Sequence, residues 1–209
     1  MPRQEFATSA GPAFEGAEDR ALAAFALRSA PGLALAGEAP RIVRACRAIA
    51  ARFRGGGTLF TFGEGVAAAD AAHLATEFAH PVIVGKPALA AVSLSCDAGA
   101  WSGTAAGHGV AEAFSVRLEA LAGPSDIALG LCSDGGVSVW RGLEAARSRG
   151  ALTVALTGEG SSPDADHVLA VPSRDPRVVR ELHVTVYHVL WELVHVFLDH
   201  HGPLQESSA

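Results

Sequence analysis

The sequence predicts an α/β fold: a three-layer αβα sandwich around a five-stranded parallel sheet, preceded by an N-terminal helical arm. Two observations carry this. Short runs that are apolar at every position, not every second one, alternate with longer Ala-rich helical segments, the mark of strands buried on both faces. Gly-rich turns follow several of the runs. At 209 residues and 49% hydrophobic, the chain is long enough for one full core.

In order, residues 17–54 read as two helices, separated at Ala30-Pro31-Gly32, where Pro and Gly oppose a continuous helix. Gly55-Gly56-Gly57 opens a strand from Thr58 to Phe62, which stops at Gly63-Glu64-Gly65 and leads into a helix from Ala67 to Ala79. Leu89 to Leu94 is strand-like, Val110 to Leu121 helical, and Asp126 to Leu131 a buried strand ending in Cys132-Ser133-Asp134-Gly135-Gly136. A helix from Val137 to Arg149, strands Leu152–Leu156 and His167–Val171, and a long helix from Arg177 to Leu198 complete the pattern. Right-handed crossovers put the turns after the strands on one edge, where such sheets bind ligands. Residues 17–201 read as one domain, with residues 1–16 and the tail 202–209 loose.

Composition narrows the function. A net charge of -6 and a pI near 5.8 supply no basic stripe for a nucleic-acid backbone. Cys46, Cys96 and Cys132 are odd in number and form no CxxC pair, which excludes a disulfide framework or zinc ribbon and fits a reducing compartment. The first sixteen residues lack the basic start and apolar run of a secretory signal. The apolar stretch 182–198 contains His183, His188, Glu192 and His195, so it reads as a buried or interfacial helix and not a membrane span. A soluble, cytoplasmic protein is expected.

Three segments carry chemistry. His73 and Glu77 lie four apart and leave the same helix face, able to share a metal or a proton, or to form a plain surface pair. The turn 132–136 precedes a helix whose first N–H groups attract anions, although Ser133 or Asp134 could simply cap it. In the last helix, histidines in an apolar setting need partners; His188, Glu192 and His195 could form one polar stripe or an oligomer interface.

Together, FGEGVAAADAAHLATEF, GLCSDGGVSVWRGLEAARSRGALTVALTG and RELHVTVYHVLWELV resemble the SIS (sugar isomerase) domain family, closest to its phosphoheptose isomerase branch, over about residues 17 to 198. The resemblance implies an aldose–ketose isomerisation of a sugar phosphate, sedoheptulose 7-phosphate, through an enediol. It assigns Glu77 as base and His188 as acid, chemistry that a carboxylate and an imidazole perform near neutral pH. It makes His73 a metal ligand, with zinc held by His73, Glu77 and His188. It places Gly63, Glu64, Gly65, Ser133, Asp134, Gly135 and Arg180 at the substrate, and it implies a homotetramer with sites between subunits. Glu77 and His188 are then expected to face each other across a cleft at the sheet's C-terminal edge.

The departures fall on the ligand. Where the family reads GNGGSAAD this chain has Glu64 and Ala67 in place of Asn and Ser, and where it reads STSGNS two hydroxyl donors become Asp134 and Val137. A carboxylate about 4 Å from a phosphate charge costs roughly 4 kcal/mol at an effective dielectric of 20. Arg180 stands where the family has a metal-ligating Gln, and a guanidinium cannot ligate; Arg180 or Lys86 could instead contact phosphate. The alternative is a non-catalytic SIS protein that binds a carbohydrate derivative or a protein partner in regulation. A third reading, metal handling, rests on His195, His200 and His201.

Overall fold

The computed structural model of the chain describes residues 16–81, 83–133 and 135–199. Residues 1–15 and 200–209, Val82 and Asp134 lie outside it, and with them the expected loose termini and the readings of Asp134, His200 and His201. Two helices, α1 (Ala17–Leu35) and α2 (Ala39–Arg54), are joined by a 3-10 turn, Ala36–Glu38. Then follow β1 (Leu59–Gly63), α3 (Val66–Ala79), β2 (Ala91–Ser93), α4 (Ala98–His108), a 3-10 turn (Val110–Glu112) and α5 (Ser115–Leu121). The rest comprises β3 (Ile127–Cys132), α6 (Val137–Ser148), β4 (Leu152–Thr157), β5 (His167–Ala170) and α7 (Pro176–Asp199).

The five strands form one parallel sheet in the order β2-β1-β3-β4-β5. All residues of β1, β3 and β4 are buried, which explains their continuous apolar runs. Successive side chains serve opposite faces. Ile127, Leu129 and Leu131 pack with α2, α3 and α7, whereas Ala128 and Cys132 join Phe60 and Phe62 under α5 and α6. The switch point of this strand order lies between β1 and β3, so the turns after those two strands flank the crevice.

Three expectations are corrected. Pro31 does not end the first helix: α1 runs through it to Leu35, and the 3-10 turn at Ala36–Glu38 separates it from α2, just before the Pro at the start of that helix. α1 is exposed along nearly its whole length, so water can take the carbonyl that Pro31 leaves without a donor. Val110–Leu121 is not one helix, because the first residues form a separate 3-10 turn entered through Gly109 at φ 93°. α4 was not anticipated: it buries no residue and shows no apolar periodicity, and it is nucleated by Asp97, whose carboxylate accepts from Ala100 N at 2.9 Å. β2 is shorter than the run that predicted it.

The core also holds a titratable group with a cost. His183, on α7, is 3% exposed and its Nε2 has no hydrogen-bond partner. Burial holds its pKa below the ordinary value, against the opposing effects of a hydrogen bond to the Thr157 backbone and the charge of Asp70. Burial shifts His167 in the same direction. The unfolded chain takes up protons near pH 6.5 that the folded chain resists, so stability is full above about pH 6.5 and falls as pH drops below it. We expect the thermal midpoint to decline between about pH 7.5 and 5.5, and His183→Leu to flatten that decline; an unchanged slope would reject this role for His183.

Candidate active site

The turn after β1 is built by contacts that hold it tight. Gly65 adopts φ 56°, and a Cβ on Gly63 would lie 2.9 Å from the Ala67 carbonyl oxygen, so both positions require glycine. Ser95 clasps the same turn: its hydroxyl donates to Gly63 O at 2.8 Å and accepts from Gly63 N at 3.1 Å. Gly63, Glu64 and Gly65, with Ser95, Trp101 and Ser102, line a cavity of about 650 Å³. Across the switch point, a Cβ on Gly136 would meet Glu64 Oε2 at 3.6 Å, so the Glu64 carboxylate reaches the turn after β3. There the N–H groups of Gly135 and Gly136 donate to Cys132 Sγ, at 3.1 and 2.7 Å. Two N–H donors of this turn are thus engaged within the chain.

The second group lies in the seam between α3 and α7. His73 Nε2 stands 3.1 Å from Glu77 Oε1, and the Tyr187 hydroxyl 2.8 Å from His73 Nδ1. The His188 ring lies 5.3 Å from that of His73 and 4.8 Å from that of Tyr187, centroid to centroid. One ligand atom each of His73, Glu77 and His188 fall within 4.8 Å of one another. The Glu77 side chain is 13% exposed while that of His73 is 46% exposed, so the carboxylate is shielded yet reachable. Trp191 Nε1 donates to the Glu77 carbonyl at 2.8 Å, tying the two helices. Glu77, His188 and Trp191 line a cavity of about 440 Å³ with Lys86 and Glu192. Lys86 Nζ is 2.6 Å from Asp199 Oδ2.

Arg180 sits beside this cluster with its charge answered: Nε and one terminal nitrogen donate to the two oxygens of Asp70, at 2.9 and 3.2 Å. Asp70 is buried, and the fork on its carboxylate raises the Arg180 pKa further. The phenol of Tyr187 is pushed up to about 12, chiefly by burial and then by the charges of Asp70 and Glu77. No polar stripe of His188, Glu192 and His195 forms. His195 is fully buried, with Nδ1 2.8 Å from the Trp191 carbonyl oxygen and Nε2 3.3 Å from that of Pro87, so it belongs to the core, while Glu192 and His188 face the cavity.

Glu77 and His188 therefore meet, but not at the C-terminal edge of the sheet. α3 begins at that edge and runs back, and Phe78 O accepts from Leu89 N, just ahead of β2. About 16 Å of helix rise separates Val66, just after that turn, from Glu77. On one chain the Gly63–Gly65 turn and the Glu77–His188 cluster line different cavities that share no residue. The sequence reading gave no role to Asp70, Trp101, Tyr187 or Trp191. Tyr187 could have been noticed as the lone tyrosine of the chain, set directly before His188.

A model of the SIS domain matches residues 33–158, more than half of the chain. The chain belongs to the SIS domain family. Among SIS proteins, it is 36% identical over 157 residues to the phosphoheptose isomerase of Solidesulfovibrio magneticus, covering 74% of this chain and 77% of that protein. It is 41% identical over 160 residues to the phosphoheptose isomerase of Chlorobaculum tepidum, covering 73% and 77%. The fold matches the structure of phosphoheptose isomerase GmhA from Neisseria gonorrhoeae, with a TM-score of 0.79 at 24% identity over 86% of this chain and 98% of that one. A phosphoheptose isomerase from Francisella tularensis gives a TM-score of 0.81 at 22% identity, with the same coverage. The matched SIS segment holds His73 and Glu77; Arg180, Tyr187 and His188 lie beyond it on α7. Among the described residues, no helix is long and apolar enough to cross a membrane.

Proposed function

We propose that the protein is an aldose–ketose isomerase acting on a sugar phosphate of the sedoheptulose 7-phosphate type. Glu77 lifts the proton from the carbon beside the carbonyl, and His188 moves the proton at the neighbouring oxygen, through an enediol. The observation that carries this reading is the convergence of Glu77 and His188, from helices far apart in sequence, on one cavity wall. Relatives at 36% and 41% identity bearing the name phosphoheptose isomerase support the substrate class. The imidazole–carboxylate–imidazole set suits zinc, which at His73, Glu77 and His188 would polarise the substrate carbonyl.

The loop cavity and the cluster line separate cavities of one chain, and in this reading a partner subunit completes each site. Exposed apolar residues on α1, Phe25 at 71% and Leu33 at 78%, favour the homotetramer that this requires. The setting is cytoplasmic. Purified protein is expected to convert sedoheptulose 7-phosphate to an aldose phosphate in a coupled assay; absence of conversion with or without added zinc rejects the isomerase.

Lys86 lines the cavity of Glu77 and His188 and, exchanging its partner Asp199, would take the anionic end of the substrate. Lys86→Met is expected to raise KM about tenfold, the equivalent of roughly 1.4 kcal/mol, with kcat changed less; an unchanged KM removes Lys86 from the binding set. One observation favours the non-catalytic reading: the N–H groups of Gly135 and Gly136 are turned onto Cys132 Sγ, with the Glu64 carboxylate beside them. That reading predicts calorimetric binding of a phosphate-free carbohydrate without turnover.

A further inference from the structure

Tyr187 is fully buried and its polar atom touches the cluster from behind: it is 0% exposed, and its hydroxyl lies 2.8 Å from His73 Nδ1. The ring is held edge-on to His73, with centroids 5.4 Å apart at 82°. On the other side of the imidazole, Nε2 faces Glu77 Oε1 at 3.1 Å. A neutral imidazole has one N–H donor and one acceptor, so the role of one ring nitrogen fixes that of the other.

We propose that Tyr187 is a positioning residue that holds the ring orientation of His73 through its Nδ1, while the Glu77 carboxylate sets the metal-free tautomer. A carboxylate only accepts, so the pair His73–Glu77 is satisfied when Nε2 carries the proton. Nδ1 is then an acceptor, and the Tyr187 O–H donates to it. The chain runs Tyr187 O–H to Nδ1, and Nε2–H to Glu77 Oε1. It pins one carboxylate oxygen of Glu77 and leaves Oε2 to the substrate. If a metal takes Nε2, the proton resides on Nδ1 and the same hydroxyl accepts from it, so His73 keeps its partner in either state. The role assigned to Glu77 rests on the isomerase reading above; the tautomer does not.

The test is nitrogen-15 NMR of the histidine rings in the metal-free protein at mildly alkaline pH, with His73 assigned by its loss in His73→Gln. The wild type is expected to show the Nε2–H form of His73 with its Nδ1 resonance displaced by the hydrogen bond it accepts, and Tyr187→Phe, which keeps the ring, the same form with that displacement lost, at an unchanged thermal midpoint. An Nδ1–H form in the wild type, or an unchanged Nδ1 resonance in Tyr187→Phe, overturns the proposal. Chelator competition supplies a second readout: Tyr187→Phe is expected to hold zinc about 10- to 100-fold more weakly, and equal affinities count against it. Failure of the sugar-phosphate assay leaves the ring spectra decisive, so the two readings fail separately.

Discussion

Replacing Glu77 with Gln is expected to lower conversion of sedoheptulose 7-phosphate by roughly 10²- to 10⁴-fold, the usual share of a positioned base. The amide keeps the size of the side chain, and the carbonyl of residue 77 still accepts from Trp191, so the fold and thermal midpoint are expected to stay as they are. The loss should appear in kcat and not in KM alone, because the group acts on a proton in flight. Turnover close to wild type at saturating substrate would remove Glu77 as the base. Lost turnover together with a lowered midpoint would mark it as structural instead.

The largest expected effect on stability comes from a site without chemistry. A Cβ on Gly57 would stand 1.9 Å from the Ser125 carbonyl oxygen and 3.1 Å from that of Arg52. Both obstacles are backbone, one just before β3 and the other in the last turn of α2, and neither can swing aside. Gly57→Ala is expected to cost about 3 kcal/mol, which for a chain of this size lowers the midpoint by about 10 °C. A calorimetric shift under about 2 °C would mean that the two segments part easily.

The layers of the fold were legible because the local signals agreed. β1, β3 and β4 are central, buried on both faces and apolar throughout, and each is followed by a glycine-bearing turn. The misses fall where burial does not discipline the sequence. α4 buries no residue and sets only the partly buried Trp101 against the core, so it has no apolar stripe to read, and Pro31 lies in a helix that faces water on most sides. Of the site, the His73–Glu77 spacing was visible as one helix face, and the structure puts the two 3.1 Å apart. The meeting with His188 came from resemblance, since no spacing rule joins residues of two distant helices. The fork between Arg180 and Asp70 was out of reach for the same reason. The position of the cluster was misjudged because the rule for strand-end ligands describes the loops, whereas Glu77 and His188 sit far along helices that lead away from them.

The margins of the sheet have a consequence of their own. Its outermost strands, β2 and β5, have three and four residues, the fewest of the five. So short a row of free amides and carbonyls gives a stray chain little to zip onto, which discourages fibril-like growth by lateral strand addition. Lateral pairing through the sheet margins is thereby disfavoured.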